Sequence, residues 1–328
     1  MVAQKIEEMT SKERINQRFC KDFNLPINIF REDMFEYYQS LYDFFPQQEW
    51  NALNQEIVVD FGGNMDAWLQ HYAEVRDTII RTLEESEAYK TFNTSDLSKY
   101  AVDPKLRNFP DRNIYNQELV GHVFVSMDLK KANFQALKYA GVLPYDTYED
   151  MIDHFDKSFY FKKSKYTRQV IFGKLNPKRT ITVEHYMMSQ ILGMEFEEMK
   201  ANFAKPIAFK SDEIVWELQY PIHADILRKY EERIKNELHF EVRAECFTIE
   251  KLPIVNVHGN DVTAYVRSDV NTGEEVLKGV STIYFPQVYK MWKGIPRNDR
   301  DLMFFFEDQP AHFDNPLKFW GEDGDIPF

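Results

Sequence analysis

Two short apolar runs, each of which delivers an aspartate, constrain this chain more than any other feature. Residues 120–127 are apolar and rich in strand formers, and the run ends at Asp128. The following stretch carries Ala132, Phe134, Ala136, Leu137 and Tyr139 at helical spacing and closes at Gly141. Residues 206–218 read as two short strands on either side of Ser211 and Asp212. Runs of this length bounded by turn signals are buried strands. The pattern predicts adjacent, antiparallel strands of one sheet, with Asp128, Asp212 and Glu213 gathered at one end.

The rest of the chain has to pack around that sheet. Residues 31–45 place Met34, Phe35, Tyr38, Leu41, Tyr42 and Phe45 at steps of three and four, and residues 65–92 repeat the pattern through Trp68, Tyr72, Val75, Ile79, Ile80 and Leu83. An amphipathic helical lobe over 1–115 is expected, broken by Pro104 and Pro110. Helical patterns recur at 148–155, 164–175, 182–192 and 222–238, and 240–249 alternates as a half-buried strand. Residues 116–250 form the predicted central core, and 251–328 a small α+β lobe. The expected class is α+β, an antiparallel sheet with helices. With 328 residues, two or three packed lobes are expected. No repeat, P-loop, G-x-G-x-x-G, G-x-S-x-G or H-E-x-x-H occurs.

Charge narrows the function. A net charge of −13 argues against a protein that coats nucleic acid non-specifically, because such binding rests on neutralising phosphates. Between Asp156 and Glu184 there is no acidic residue, whereas Lys157, Lys162, Lys163, Lys165, Arg168, Lys174, Lys178 and Arg179 all fall there. The island is either a phosphate-facing surface or a solvated helix face. Lys165, Arg168 and Phe172 follow one another at i, i+3 and i+7 and share a helix face, which suits a nucleoside triphosphate: cations for phosphate, a ring for the base. The two cysteines, Cys20 and Cys246, form no C-x-x-C, so a reducing, cytoplasmic setting is expected. A polar N-terminus and the lack of a long apolar run predict neither export by a signal peptide nor a membrane span.

Paired carboxylates from separate strands are what two-metal phosphoryl transfer requires, and Mg²⁺ needs few protein ligands because it keeps waters and substrate phosphates in its shell. Here the chain resembles a known group. Phe124-Val125-Ser126-Met127-Asp128-Leu129-Lys130-Lys131-Ala132-Asn133 resembles motif A of palm-domain nucleic-acid polymerases. Residues 207–218, with Ser211-Asp212-Glu213 at the turn, resemble motif C of family A DNA polymerases, and residues 165–173 are similar to the fingers helix of that family. The match covers about 120–246. Ser211 replaces the usual His, no Tyr-Gly follows the fingers helix, and the spacing of 84 residues from Asp128 to Asp212 is closer to reverse transcriptases and viral RNA polymerases.

The resemblance implies a compact palm enzyme of phage or mobile-element type, extending a primer on a nucleic-acid template from nucleoside triphosphates with Mg²⁺ or Mn²⁺. By the same resemblance Asp128 and Asp212 hold metal and Glu213 supports them. Lys165 and Arg168 meet the triphosphate, Phe172 stacks on the base, and Asn133 lies beside the incoming sugar. Lys162, Lys163, Lys178 and Arg179 are the expected nucleic-acid contacts. A non-catalytic binding module with a palm-like core and a metal-dependent nuclease are the alternatives.

Overall fold

A computed structural model describes residues 9–102, 113–306 and 309–320. Pro104 and Pro110, expected to break the N-terminal lobe, lie outside the described residues. The chain divides into two compact units, each drawn from three stretches: Met1–Leu83, Asp146–Gly173 and Thr282–Pro316 in the first, and Glu84–Tyr145, Lys174–Ser281 and Leu317–Phe328 in the second. This differs from the consecutive lobes 1–115, 116–250 and 251–328 expected from the sequence. The reason lies in the aromatic side chains, which bury themselves against rings from distant parts of the chain.

In the first unit, helices Ser11–Asp22, Glu32–Leu41 and Gln47–Asp60 carry stripes of large apolar residues. The first helix is started by a capping box between Thr10 and Glu13. Phe19 meets Trp50 edge-on at 4.8 Å, Trp68 meets Tyr160 at 5.3 Å, and Tyr42 meets Phe285 at 5.5 Å. Those contacts draw helices Phe159–Lys163 and Phe285–Lys293 into the unit. A buried polar cluster sits inside it. Asp22 is ion-paired with Arg18 at 3.2 Å and accepts from the hydroxyls of Tyr72 and Tyr160. Burial holds the Asp22 carboxyl above its ordinary range, with Arg18 acting against that shift.

The second unit is built on strands β1 (Val123–Leu129), β2 (Lys205–Phe209), β3 (Glu213–Leu218), β4 (Val242–Lys251), β5 (Ile254–Val255), β6 (Tyr265–Asp269) and β7 (Glu275–Lys278). Six of them form one antiparallel sheet in the order β2-β3-β1-β4-β6-β7. The chain is therefore α+β, as expected. β1 is central, and Phe124, Val125 and Met127 are all fully buried, which is why its sequence is apolar on both faces.

Residues opposed across antiparallel strands point to the same face, so the register sorts the sheet. Met127 opposes Ile214 and Ala244, and Ile214 opposes Phe209. His185, on helix Pro177–Leu192, stacks on Phe209 at 5.5 Å, so that helix covers this face. The other face carries Phe124, Val215, Phe247, Ile249 and Tyr265, covered by Ile114 and Leu119. Farther along that second face, toward the end of β1, apolar residues give way to Ser126, Asp128, Glu213, Arg243, Glu245 and Arg267.

Element boundaries follow local chemistry. Helix Pro177–Leu192 begins five residues before the expected 182 because Pro177 stands in its first turn, where its missing N–H costs nothing. Helix Tyr148–Phe155 matches its expected span. β1 runs one residue past Asp128, to Leu129.

Candidate functional site

The end of β1 brings Asp128 and Glu213 to opposed positions on one face. Asp128 opposes Glu213 on β3 and Arg243 on β4. Opposed residues have Cα atoms about 4.5–5.5 Å apart. Immediately beyond, the Leu129 N–H donates to the Asp212 carbonyl at 2.8 Å, and the Lys210 N–H donates to the Glu213 carbonyl at 2.8 Å to close the β2–β3 turn. The chain then reverses sharply. Lys131 has φ 52, a left-handed conformation, and starts helix Ala132–Tyr139, on which Asn133 is half-buried. The expected adjacency of the strands carrying Asp128 and Asp212 is borne out.

Arg267 organises the face beside these groups. Its guanidinium donates to Glu245 at 2.5 Å and to the Ser126 hydroxyl at 3.2 Å, and lies 3.7 Å from the Phe247 ring centroid. Arg243 pairs with the same Glu245 at 3.0 Å. A cleft of about 370 Å³ opens here, lined by Arg228, Glu231, Arg243, Glu245, Arg267 and Asn271. Burial raises the Glu213 carboxyl; Arg267 and Lys210 counter the shift, while Asp212 and Glu245 add to it.

A fourth carboxylate reaches the turn from behind. Glu184, on helix Pro177–Leu192, is 3% exposed. Burial, and then repulsion from Asp212, push it up to about 7, against a hydrogen bond from Ser211. Its Oε1 atom is buried without a hydrogen-bond partner. Next to it, burial lowers His185, with Asp212 opposing. Sequence reading passed over Glu184, yet a signal was there. Thr180, Val183, Glu184, Met187, Met188 and Ile191 make up the buried stripe of the helix, so one carboxylate occupies an apolar position. Arg267 shows in the same way, as a cation within the strand pattern of β6.

The backbones of Asp128, Asp212 and Glu213 thus adjoin, with Asp128 and Glu213 on one face and Asp212 on the side of Glu184 and His185, whereas the remaining predicted site residues are spread over both units. Lys165, Arg168 and Phe172 lie on helix Lys165–Lys174, in the part belonging to the first unit. Lys165 is exposed, and Arg168 is half-buried with its guanidinium 5.5 Å from the Tyr148 ring centroid. Burial lowers the Arg168 pKa, and Tyr148 and Glu149 oppose that. Phe172 is fully buried, edge-on to Tyr148 at 6.3 Å. Its expected role of stacking on a base is therefore corrected: the ring packs in the core and offers no open face.

The basic island is divided between the two units. Lys162 is paired with Asp153 at 2.6 Å and Lys163 lies 5.4 Å from the Phe159 ring, both in the first unit. Lys178 and Arg179 belong to the second. Lys178 is exposed, while Arg179 donates to the Ser95 carbonyl and lies 5.3 Å from the Phe92 ring centroid, a structural bracket in place of a free phosphate contact.

Electrostatically, the end of β1 is mixed: Asp128, Glu213 and Glu245 share a face with Arg243 and Arg267, and Lys210 also acts on Glu213. Among the described residues, no group of three or more His, Cys, Asp or Glu side chains is arranged to hold a metal ion by itself. Carboxylate oxygens are the donors that Mg²⁺ or Mn²⁺ takes, and Asp128 and Glu213 offer two from opposed positions on one face, with Asp212 next in the turn. Comparison of the sequence with models of protein families and with curated proteins gave no match, so the reading of this site rests on its own geometry.

Proposed function

We propose that the chain is a palm-type nucleotidyltransferase that extends a nucleic-acid strand on a template from nucleoside triphosphates. The observation that carries this reading is the juxtaposition of Asp128 and the Asp212-Glu213 turn at one end of an antiparallel sheet, fixed by the Leu129 to Asp212 backbone bond. Asp128 and Asp212 would hold Mg²⁺ or Mn²⁺, which when bound supplies charge stabilisation for phosphoryl transfer and activates the attacking hydroxyl. Glu213, half-buried beside Asp212 and opposite Asp128, would support the ion's shell. Arg243 and Arg267, held by Glu245, flank the carboxylates and suit the phosphates of a primer–template. Asn133, on the helix that follows Asp128, remains the residue assigned to the incoming sugar.

The test is incubation with labelled primer–template, Mg²⁺ or Mn²⁺, and ribonucleotide or deoxyribonucleotide pools separately. Extension that is abolished in Asp128→Asn and Asp212→Asn supports the proposal. Shortened product instead of extended product would assign the same carboxylates to a nuclease. A second reading, a non-catalytic module with a palm-like core, is favoured by the burial of Phe172 and by the absence among the described residues of a ready three-ligand group. Template binding without any nucleotide transfer would support it.

A further inference from the structure

We propose that Lys290 and Asp301 are the site of an intramolecular amide bond, formed by condensation of the lysine amine with the aspartate carboxyl. Both residues belong to the first unit. Lys290 comes from the buried stretch of helix Phe285–Lys293, and Asp301 from the single turn Asp299–Leu302. Their side chains are 4% and 0% exposed, and Nζ lies 2.9 Å from Oδ2. The carboxyl is gripped on both oxygens: the Asn298 N–H donates to Oδ2 at 2.7 Å, and the Tyr37 hydroxyl donates to Oδ1. Aromatic rings wall the pair. Nζ is 5.3 Å from the Tyr37 ring centroid, and Tyr289, next to Lys290 on the helix, meets Tyr42 edge-on at 5.1 Å.

Two opposite charges taken out of water carry a desolvation cost that their attraction offsets only in part. Condensation removes both charges at once. Proton exchange within the pair gives a neutral acid and a neutral amine, the nucleophilic form of lysine. With Nζ in contact with Oδ2, the carboxyl carbon is within about 4 Å of the amine, near the attack separation of about 3–3.5 Å. The bond that forms joins Nζ to Cγ, and the bond that breaks is Cγ–Oδ1. The ammonium gives up two protons, which depart with Oδ1 as one water molecule, so atoms and charge balance and nothing is oxidised or reduced. Tyr37, as donor to Oδ1, polarises the carboxyl and assists that departure. Oδ2 stays behind as the amide oxygen on the Asn298 N–H.

The test is mass spectrometry of the full chain, after purification and again after prolonged incubation in the folded state, on wild type, Lys290→Arg and Tyr37→Phe. The denatured wild-type chain should weigh one water less than its sequence, and tandem spectra of a protease digest should place the loss in a branched peptide joining Lys290 to Asp301. Lys290→Arg keeps the charge and should show the full mass. Tyr37→Phe keeps the ring, and its linked fraction should fall at least about tenfold after equal incubation; a fraction equal to that of wild type overturns the part assigned to Tyr37. A wild-type chain of full mass after incubation, with Lys290 and Asp301 recovered in unmodified linear peptides, overturns the proposal. So does a water loss located elsewhere, such as a cyclic imide at Asp301. The wild-type spectra decide the question even where a variant does not fold.

Discussion

Replacing Phe172 separates packing from substrate contact more cleanly than any other single change. The ring is fully buried and sits edge-on to Tyr148, itself fully buried. Truncation of such a phenylalanine to alanine removes its transfer free energy and leaves a cavity, at a cost of about 3–5 kcal/mol. Phe172→Leu keeps most of the volume and should cost roughly 1–2 kcal/mol. In a chain of this size, the alanine variant should unfold on the order of 10 °C below wild type. Chemical denaturation followed by circular dichroism gives the free energies, and nucleotide-dependent extension gives KM for each variant. A core residue predicts a graded loss of stability, with the leucine variant retaining its nucleotide KM. Phe172→Ala with undiminished stability and a raised nucleotide KM would refute the packing argument and restore the base-stacking role.

Asp212→Asn keeps size but removes a charge required by a divalent ion, so extension should fall by several orders of magnitude while metal-free stability holds or rises; paired activity and melting measurements check this. Arg168→Ala should lower the melting temperature, because the half-buried guanidinium rests against Tyr148, whereas Lys165→Ala, exposed on the same helix, should leave it within error. Glu184 gives a pH signature in metal-stripped protein. Its folded pKa is raised from 4.5 to about 7, so its contribution is fully present below about pH 4.5 and is lost as pH rises through about 7. The loss is on the order of 3 kcal/mol, and Glu184→Gln should flatten that limb of the stability curve, as measured by urea unfolding across pH.

What the sequence disclosed followed from periodicity at short range. The strand ending near Asp128 and the pair flanking Asp212 were legible because apolar runs bounded by turn residues admit few other readings, and helix Ala224–Leu238 was legible from its charged amphipathic spacing. Strand order was not. β1 lies between β3 and β4, whose residues come some ninety or more positions later, and alternation says which face a residue takes but not which strand it meets. Helix Lys165–Lys174 shows a related limit. Its spacing put Lys165, Arg168 and Phe172 on one face, but that face runs from solvent to core, and only packing around Tyr148 decides which end is inside. Glu184 was passed over because a single acid in an apolar stripe resembles a surface residue until its neighbours are known.

The three-part composition of the first unit bears on how the protein is made. Its aromatic core joins Tyr42 to Phe285, and Tyr37 donates its hydroxyl to Asp301, which is fully buried against Lys290. Domains fold largely as units, in the order in which they leave the ribosome. Helices Ser11–Asp22 through Gln47–Asp60 are translated early, but they cannot complete their own core until residues near 301 have been synthesised. The second unit's sheet, by contrast, needs nothing beyond Lys278 to pair its last strand. During synthesis, the earliest segment to emerge is thus among the last to be fully packed. A nascent chain arrested near residue 280 should expose Tyr42, whose ring meets Phe285 and Tyr289, to proteases and chaperones in a way that the finished protein does not.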